Sequence, residues 1–453
     1  MYCSYQILDY LNNFSNDRTC YVKIKIMKNK KNIFLKKKIL IYGLGKSGIS
    51  SYEFLRKKAD VYLFDDNSKI NKKLISLGKI SKISFDVIII SPGIDISKCK
   101  LSTFLKKNSQ KIYTDLDVLY SFYDNLSITI TGTNGKSTTA KILHDALVDQ
   151  KKDARLIGNI GNPALSVKKI TKKTIFVIEA SSYQLDYSKI FRSKYGLILN
   201  ISADHIERHK NLKNYINAKF KLIESQVKGN FAYVKKNDSL ISKKIKKNKF
   251  NSKIYKVDIS NLKNITNKIS NKYFASNGNR ENLSFIFEIA PKLKLSKKKL
   301  IQTINNFKGL DYRQQIIFDK KNLTIINDSK STSFASSENI LNNLNDVYWI
   351  LGGIPKKNDK FKLPSIKCKN IKAFIFGSYR NKFHKILRNK LKIKKYKTLS
   401  EALCAIFLEI KDQEIKKNII FFSPAGASFD SFKNFEDRGN YFNKIIKKYI
   451  NAK

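Results

Sequence analysis

Twice in this chain a short apolar run ends in a glycine turn and opens into a helix-length stretch, and this pattern limits the fold more than any other feature. The first instance is Lys38–Tyr42 (KILIY), then GLGKSG at 43–48, then helical sequence to about Lys58. The second is Leu126–Thr131, then GTNGKST at 132–138, which feeds another helix. A strand passing through a tight turn into a helix is the opening half of a parallel βαβ unit. Further strand-sized apolar runs stand at Val61–Phe64, Val87–Ile90, Thr174–Ile178, Leu197–Ile201, Leu323–Asn327, Val347–Leu351, Ala373–Phe376 and Asn418–Phe422. Strands buried on both faces of a parallel sheet read as such unbroken runs. The expected fold class is α/β.

A chain of 453 residues exceeds one ordinary core. The runs fall into three blocks, read as a Rossmann-like domain over 27–114, a central P-loop-type domain over 115–309 and a second Rossmann-like domain over 310–453. Residues 1–26 have no signal-peptide pattern, and Met27 is followed by a basic stretch and a strand, so they read as an extension or a misplaced start. Hydrophobic residues make up 42 %, enough for packed cores, while no apolar stretch approaches the roughly 18 residues of a membrane span. No membrane insertion is expected. Cys3, Cys20, Cys99, Cys368 and Cys404 are scattered without a CxxC pair, which points to a reducing, cytoplasmic setting and away from disulfide or zinc frameworks.

Charge is the anomaly: 89 Lys plus Arg against 36 Asp plus Glu, a formal +53. A polyanion binder would look like this. So would a chain whose composition has drifted toward Lys, Asn and Ile together. The lysines are dispersed and lack the interleaved aromatics of a base-stacking surface. The drift reading is preferred, and no specific nucleic-acid partner is expected. The run Lys235–Lys256 reads as solvated surface rather than a linker.

GTNGKST carries the most chemistry. Its glycines let backbone N–H groups turn toward a phosphate, and the helix that follows adds its dipole. Lys136 would reach the β- and γ-phosphates and the Ser137 hydroxyl would face Mg²⁺. The broader phosphate-loop pattern wants glycine where Ile130 stands, so the match is to the shorter GTxGK[ST] form. GLGKSG, with Asp65 and Asp66 after the next strand, suits a dinucleotide, the diphosphate of a UDP-sugar, or a bare turn equally. Glu179 ends the strand TIFVIE, where a carboxylate suits a hard cation or caps the next helix. His205 taken alone reads as structural, and Lys219 taken alone means nothing among so many cations.

Several motifs in order resemble the Mur ligase family, in its D-glutamate-adding branch. They are GLGKSG (43–48), SPG (91–93), GTNGKST (132–138), GNIGNPAL (158–165), EASSYQL (179–185), DH (204–205) with YINAK (215–219), and NRENL (279–283). GLDYRQQ (309–315), NDSKST (327–332), GGIPKK (352–357) and SPAGASFDSFKNFEDRGNYF (423–442) follow. The resemblance runs from about Lys38 to Ile446, and its last motif is the most discriminating.

What the resemblance implies is a three-domain, ATP-dependent amide ligase acting on UDP-N-acetylmuramoyl-L-alanine and D-glutamate, expected to be a monomer. The UDP-sugar would be held by Gly43, Leu44, Gly45, Lys46, Ser47, Asp65, Asp66, Ser91, Pro92, Gly93 and Asn159. ATP would be held by Gly132, Thr133, Asn134, Gly135, Lys136, Ser137, Thr138, Asn279, Asn282, Arg313 and Asp328. Ser137 and Glu179 would take one Mg²⁺ and His205 a second. Lys219 matches a lysine that the family carbamylates into a carboxylate-like metal-site group. Lys136, His205 and Lys219 are thus the implied catalytic residues. Lys330, Thr332, Lys356, Ser428, Phe429 and Phe435 would form the D-glutamate pocket. Gly426 stands where the family commonly has cysteine, Asn67 where it often has arginine, and Lys356 is preferred over the adjacent Lys357. Another Mur ligase or a folylpolyglutamate synthase would share this ATP core, and a nicotinamide enzyme would use only the first glycine loop.

Overall fold

In a computed structural model the chain is described over residues 32–67, 74–262, 265, 267–274, 276–320, 322–357, 359–411 and 418–451. The extension expected at 1–26 lies outside these residues. Among the described residues the strands form three sheets. The first joins β1 (Lys38–Tyr42), β2 (Asp60–Phe64), β3 (Val87–Ile90) and β4 (Ile112–Tyr113) in the order β2-β1-β3-β4, all parallel. The chain leaves β1 toward β2 on one side and later returns to β3 on the other. That reversal makes the end of β1 a topological switch point, where open α/β sheets leave a crevice.

The second sheet contains β5 (Ser127–Thr131), β6 (Ala154–Gly158), β7 (Ile175–Glu179), β8 (Tyr195–Ile198), β9 (Phe231–Lys235) and β10 (Lys253–Val257), in the order β10-β9-β8-β5-β7-β6. Its middle strand β5 is buried throughout and sends the GTNGKST loop out of its C-terminal end. One compact unit contains both of these sheets together with Glu281–Thr303. One apolar core runs from Ile39, Ile89 and Leu116 beside the first sheet to Ile157, Ile178 and Phe220 beside the second, and another, with Leu40, Tyr42, Ile88 and Ile90, packs on the first sheet.

The second unit is made of Asn267–Arg280 and the chain from Ile304 onward. Its sheet contains β11 (Gln315–Lys320), β12 (Leu323–Asn327), β13 (Val347–Gly352), β14 (Ile371–Phe376), β15 (Lys392–Lys395) and β16 (Asn418–Phe422), in the order β11-β12-β16-β13-β14-β15. Only β11 runs antiparallel among these described strands. Two separate cores cover its faces. One is built on Trp349, Phe334, Phe361 and Phe383, the other on Phe422, Phe442, Leu403 and Ile406.

β1, β3, β12 and β16 begin and end where their apolar runs do. β8 does not: it covers Tyr195–Ile198 rather than Leu197–Ile201. Leu199 and Ile201 are still buried, but the backbone between them has left the sheet to hold the phosphate loop, with Asn200 O accepting the Thr133 N–H at 3.0 Å. The lysine run 235–256 is also more than solvated surface. It holds the helix Ser239–Lys247 and the edge strand β10, because Ile241 and Val257 bury inward while the lysines between them stay wet.

Candidate active site

At the end of β5 the chain turns through Gly132–Gly135 and enters the helix Lys136–Asp149. Gly135 has φ +84°, and a Cβ there would lie 2.0 Å from Asn282 Oδ1, so only glycine fits against that amide. The loop is clamped from the segment after β8. Asn134 N donates to Asn200 Oδ1 at 2.9 Å, and Thr133 Oγ1 pairs with the Tyr215 hydroxyl at 3.0 Å. A loop tied on both sides is preorganised, and its N–H groups need no reordering to meet an anion.

Two lysines converge on one carbonyl inside this loop. Lys136 Nζ donates to Gly132 O at 2.9 Å and to Thr133 O at 2.8 Å. Lys219 Nζ, from the helix Leu212–Glu224, donates to the same Gly132 O at 2.7 Å. Lys219 is 2 % exposed, and its amine is held well below the ordinary lysine value. Burial is the main cause and the charge of Lys136 adds to it, against opposing pulls from Asp204 and Glu179. A shift in this direction favours the neutral amine, which is the nucleophilic form of lysine.

Glu179, the last residue of β7, is fully buried beside this cluster. Its Oε2 accepts the Ser137 hydroxyl at 2.6 Å and its Oε1 accepts Asn159 Nδ2 at 2.8 Å. Strand, phosphate loop and the turn after β6 therefore meet at one carboxylate. Ser137 and Glu179 offer hard oxygens of the kind Mg²⁺ accepts alongside phosphate oxygens and water. Among the described residues no three His, Cys, Asp or Glu side chains gather as a ready metal cage.

His205 sits at φ +53° as the residue before the short helix Ile206–His209. Its ring centroid is 5.1 Å from that of Tyr183, and its Nε2 is 3.4 Å from Asp204 Oδ2. Its side chain is 40 % exposed, so it can still reach a ligand.

The first glycine turn is equally tight. A Cβ on Gly48 would lie 1.8 Å from Gly43 O, and Ser91 Oγ donates to that same oxygen at 2.6 Å. Asp65 Oδ2 accepts the Leu44 N–H at 2.5 Å, and Asp66 Oδ1 accepts the Tyr42 hydroxyl at 2.7 Å. Asp65 therefore fixes the turn from the end of β2 while Asp66 holds the Tyr42 side chain of β1, and Lys46 and Ser47 open the helix behind the turn.

In the second unit Asp328 follows β12 and is buried. Its Oδ2 accepts the Ser423 hydroxyl at 2.9 Å and its Oδ1 the Gln314 N–H at 3.1 Å. Burial pushes its carboxyl up to about 7, against those two hydrogen bonds and the charges of Arg313 and Arg438. Lys330 Nζ lies 3.6 Å from the Phe435 ring centroid, a cation–π contact. Ser428 is buried, Lys356 is exposed, and Phe429 is 72 % exposed. Asn279 Nδ2 donates to Tyr273 O at 2.7 Å within this unit, whereas Asn282 packs on the phosphate loop in the other.

Two residues stand out that sequence reasoning did not single out. Asn200 grips the phosphate loop through both side chain and backbone, and its one signal is that it interrupts the apolar run Leu197–Ile201. Arg438 is fully buried and donates to Ser329 Oγ, Ser329 O and Gly426 O at 3.1, 2.7 and 3.0 Å. It lies inside the quoted motif SPAGASFDSFKNFEDRGNYF, but nothing in the pattern marks it as interior.

A model of the Mur ligase middle domain matches residues 130–295. The chain is 34 % identical over 446 residues to the UDP-N-acetylmuramoylalanine–D-glutamate ligase of Rickettsia felis, covering 92 % of this chain and 98 % of that one. It is 30 % identical over 427 residues to the enzyme of that name from Aquifex aeolicus, covering 90 % and 98 %. Among solved structures, the UDP-N-acetylmuramate-alanine ligase of Thermotoga maritima superposes with a TM-score of 0.54 at 17 % identity, covering 92 % of this chain and all of that one.

Proposed function

The chain belongs to the Mur ligase family, and we propose that it adds D-glutamate to UDP-N-acetylmuramoyl-L-alanine, using ATP, in the making of a peptidoglycan precursor. The relatives that carry this activity in their names match it over nearly their whole length. The observation that carries the chemistry is the cluster of Lys136, Ser137, Asn159, Glu179 and Lys219 around Gly132.

A carboxylate is a poor acyl donor, so ATP first converts the alanyl carboxylate to an acyl phosphate. The carboxylate oxygen bonds to the γ-phosphorus as the bond to the β-phosphate oxygen breaks, and ADP leaves. That transfer needs positioning and charge neutralisation more than covalent help. The Lys136 ammonium and the loop N–H groups supply both, and Asn159 lies beside Glu179 where the reacting carboxylate would be presented. The D-glutamate amine then attacks the acyl carbon, the tetrahedral intermediate expels phosphate, and an amide remains. Mg²⁺ held by Ser137 and Glu179 would screen the phosphates, with a second ion at His205.

In the same reading Lys219 is carbamylated. Its neutral amine would add to CO₂, losing a proton, and the carbamate oxygens would join His205 as metal-site groups. The resemblance gives Arg313, Asp328, Asn279 and Asn282 to nucleotide binding. The cations Lys330 and Lys356 suit the two D-glutamate carboxylates, with Thr332, Ser428, Phe429 and Phe435 around them. The UDP diphosphate lies on Gly43–Ser47, between Asp65–Asp66 and Ser91–Gly93. The domains divide at 114/115 and 309/310, the enzyme is a monomer, and it works in the cytoplasm, where its ATP is made.

The deciding experiment is ADP release with UDP-N-acetylmuramoyl-L-alanine and, separately, D-glutamate, L-alanine, L-lysine and diaminopimelate. Turnover is expected with D-glutamate alone. Turnover with a different amino acid in its place would overturn the assignment.

A further inference from the structure

Arg208 belongs to no motif role assigned above, yet its side chain is only 11 % exposed. It projects from the short helix Ile206–His209, in the second-sheet half of its unit, and reaches the turn after β3 in the first-sheet half. There its Nη2 donates to Ile94 O, and it also donates to the Tyr187 hydroxyl at 3.1 Å, at the end of the helix Ser182–Tyr187 that follows β7. Its Nη1 stands 3.7 Å from Asp95 Oδ2. The guanidinium carbon is 5.1 Å from the Tyr183 ring centroid and 5.6 Å from that of Tyr187. A planar cation held between rings, with its fork on a carbonyl and a carboxylate, is a fixed strut rather than a solvated side chain.

Both ends of the strut lead to assigned sites. At the near end, Ile94 N donates to Ser91 O, and Ser91 Oγ donates to Gly43 O, so three hydrogen bonds in series join Arg208 to the first glycine turn. Asp95 is set to receive it. Burial pushes its carboxyl up, but the Ser97 hydroxyl and N–H, with Arg208 and Lys98, outweigh this and hold it below the ordinary value. At the far end, the Tyr183 ring that packs on Arg208 also packs on His205 and on His209, at 5.1 and 5.5 Å between centroids. His209 is itself pinned by Ser182 Oγ at 3.0 Å from its Nε2.

We propose that Arg208 is a positioning residue: it holds the Ser91–Asp95 turn, and with it the turn that takes the UDP diphosphate, in register with the Asp204–His205 loop beside the phosphate site. This rests on the functional reading above. The substrate must reach from its diphosphate to its alanyl carboxylate across this seam. A loosened strut misplaces the reacting carboxylate without touching the ATP loop, and small misplacements are costly in phosphoryl transfer.

The test uses the full chain with Arg208→Lys, Arg208→Gln and, from the other side, Asp95→Asn, in steady-state assays that vary each substrate in turn. Arg208→Lys keeps the charge but loses the planar fork. Both Arg208 variants are expected to raise KM for UDP-N-acetylmuramoyl-L-alanine by roughly tenfold or more, with KM for ATP within about twofold and the thermal midpoint little moved. Asp95→Asn should move the same KM by less, and combining it with Arg208→Gln should add little further, since both cut one contact. An unmoved KM for the UDP substrate in both Arg208 variants of an active enzyme overturns the proposal alone. So does an equal loss in every KM alongside a fall in thermal stability, which would mark Arg208 as merely structural. A wild-type chain without turnover overturns the functional reading and the strut together.

Discussion

The strand ends of the second and third sheets both bury ionisable side chains, with opposite electrostatics. Beyond β5 and β7, Lys136 and Lys219 crowd one carbonyl, and burial drives Lys219 toward its neutral amine. Beyond β12 and β16, Asp328 is buried with a hydroxyl and an N–H, and burial drives it toward its neutral acid. The first cluster points its groups at a loop preorganised for phosphate. The second spends many of its contacts inside the fold: Arg438 satisfies two backbone carbonyls and a serine, and Asn327 Nδ2 donates to Gly439 O at 3.1 Å. Perturbed titration therefore marks both places, and geometry separates groups that face a ligand loop from groups, such as Arg438 and Asn327, that brace the domain.

Three outcomes would break or sharpen that contrast. The largest effect belongs to Lys136→Ala, which should cut D-glutamate-dependent ADP release by roughly 10³-fold while the thermal midpoint stays near wild type. Retained activity would mean the loop does not carry the phosphates.

Asp328 comes next, and its readout is stability. Its carboxyl titrates near 7 when folded and about 4 when unfolded. The folded state binds the extra proton between those values, so this contribution is fully present below about pH 4 and is lost as pH rises to about 7. The loss is at most about 4 kcal/mol by linkage. Asp328→Asn should be flat over that window, so chemical denaturation at stepped pH should show the variant gaining on wild type as pH rises. A constant gap would mean Asp328 keeps an ordinary acidity.

The smallest effect expected is for Lys219→Arg, a loss of activity of roughly 10- to 100-fold, as for other groups that orient a metal site. Wild-type protein equilibrated with ¹³C-bicarbonate should show a carbamate carbon signal that the variant lacks. A silent wild-type spectrum would remove the carbamate from the site.

Much of the fold is legible because parallel strands are buried on both faces and so advertise themselves as apolar runs, as Val87–Ile90 and Asn418–Phe422 do. β6, β9, β10 and β15 are harder to see. They carry Arg155, Lys235, Lys253 or Lys392–Lys395, whose charged heads reach water while the stems lie on the sheet. The antiparallel β11 has no fully buried residue, with Ile316 41 % exposed, and so resembles a surface segment. Within the site, GTNGKST is legible because phosphate binding needs a glycine turn, a lysine and a helix start in immediate succession. Asn200, Arg208 and Arg438 were not, because each acts on backbone distant in sequence.

What the sequence determined by itself is the local chemistry: which strands end in anion-ready turns, where the phosphate lysine and the carboxylate Glu179 stand, and the α/β class that follows from the alternation. What only the tertiary structure decided is how those turns are brought together and which cations keep their charge. The order β2-β1-β3-β4 puts Ser91 on Gly43, and the meeting of two helices on Gly132 O makes Lys219 differ from every solvated lysine in the chain. The physical reason is that desolvation and hydrogen-bond partnership are properties of a place in the fold. They depend on groups tens of residues away, which no local pattern records.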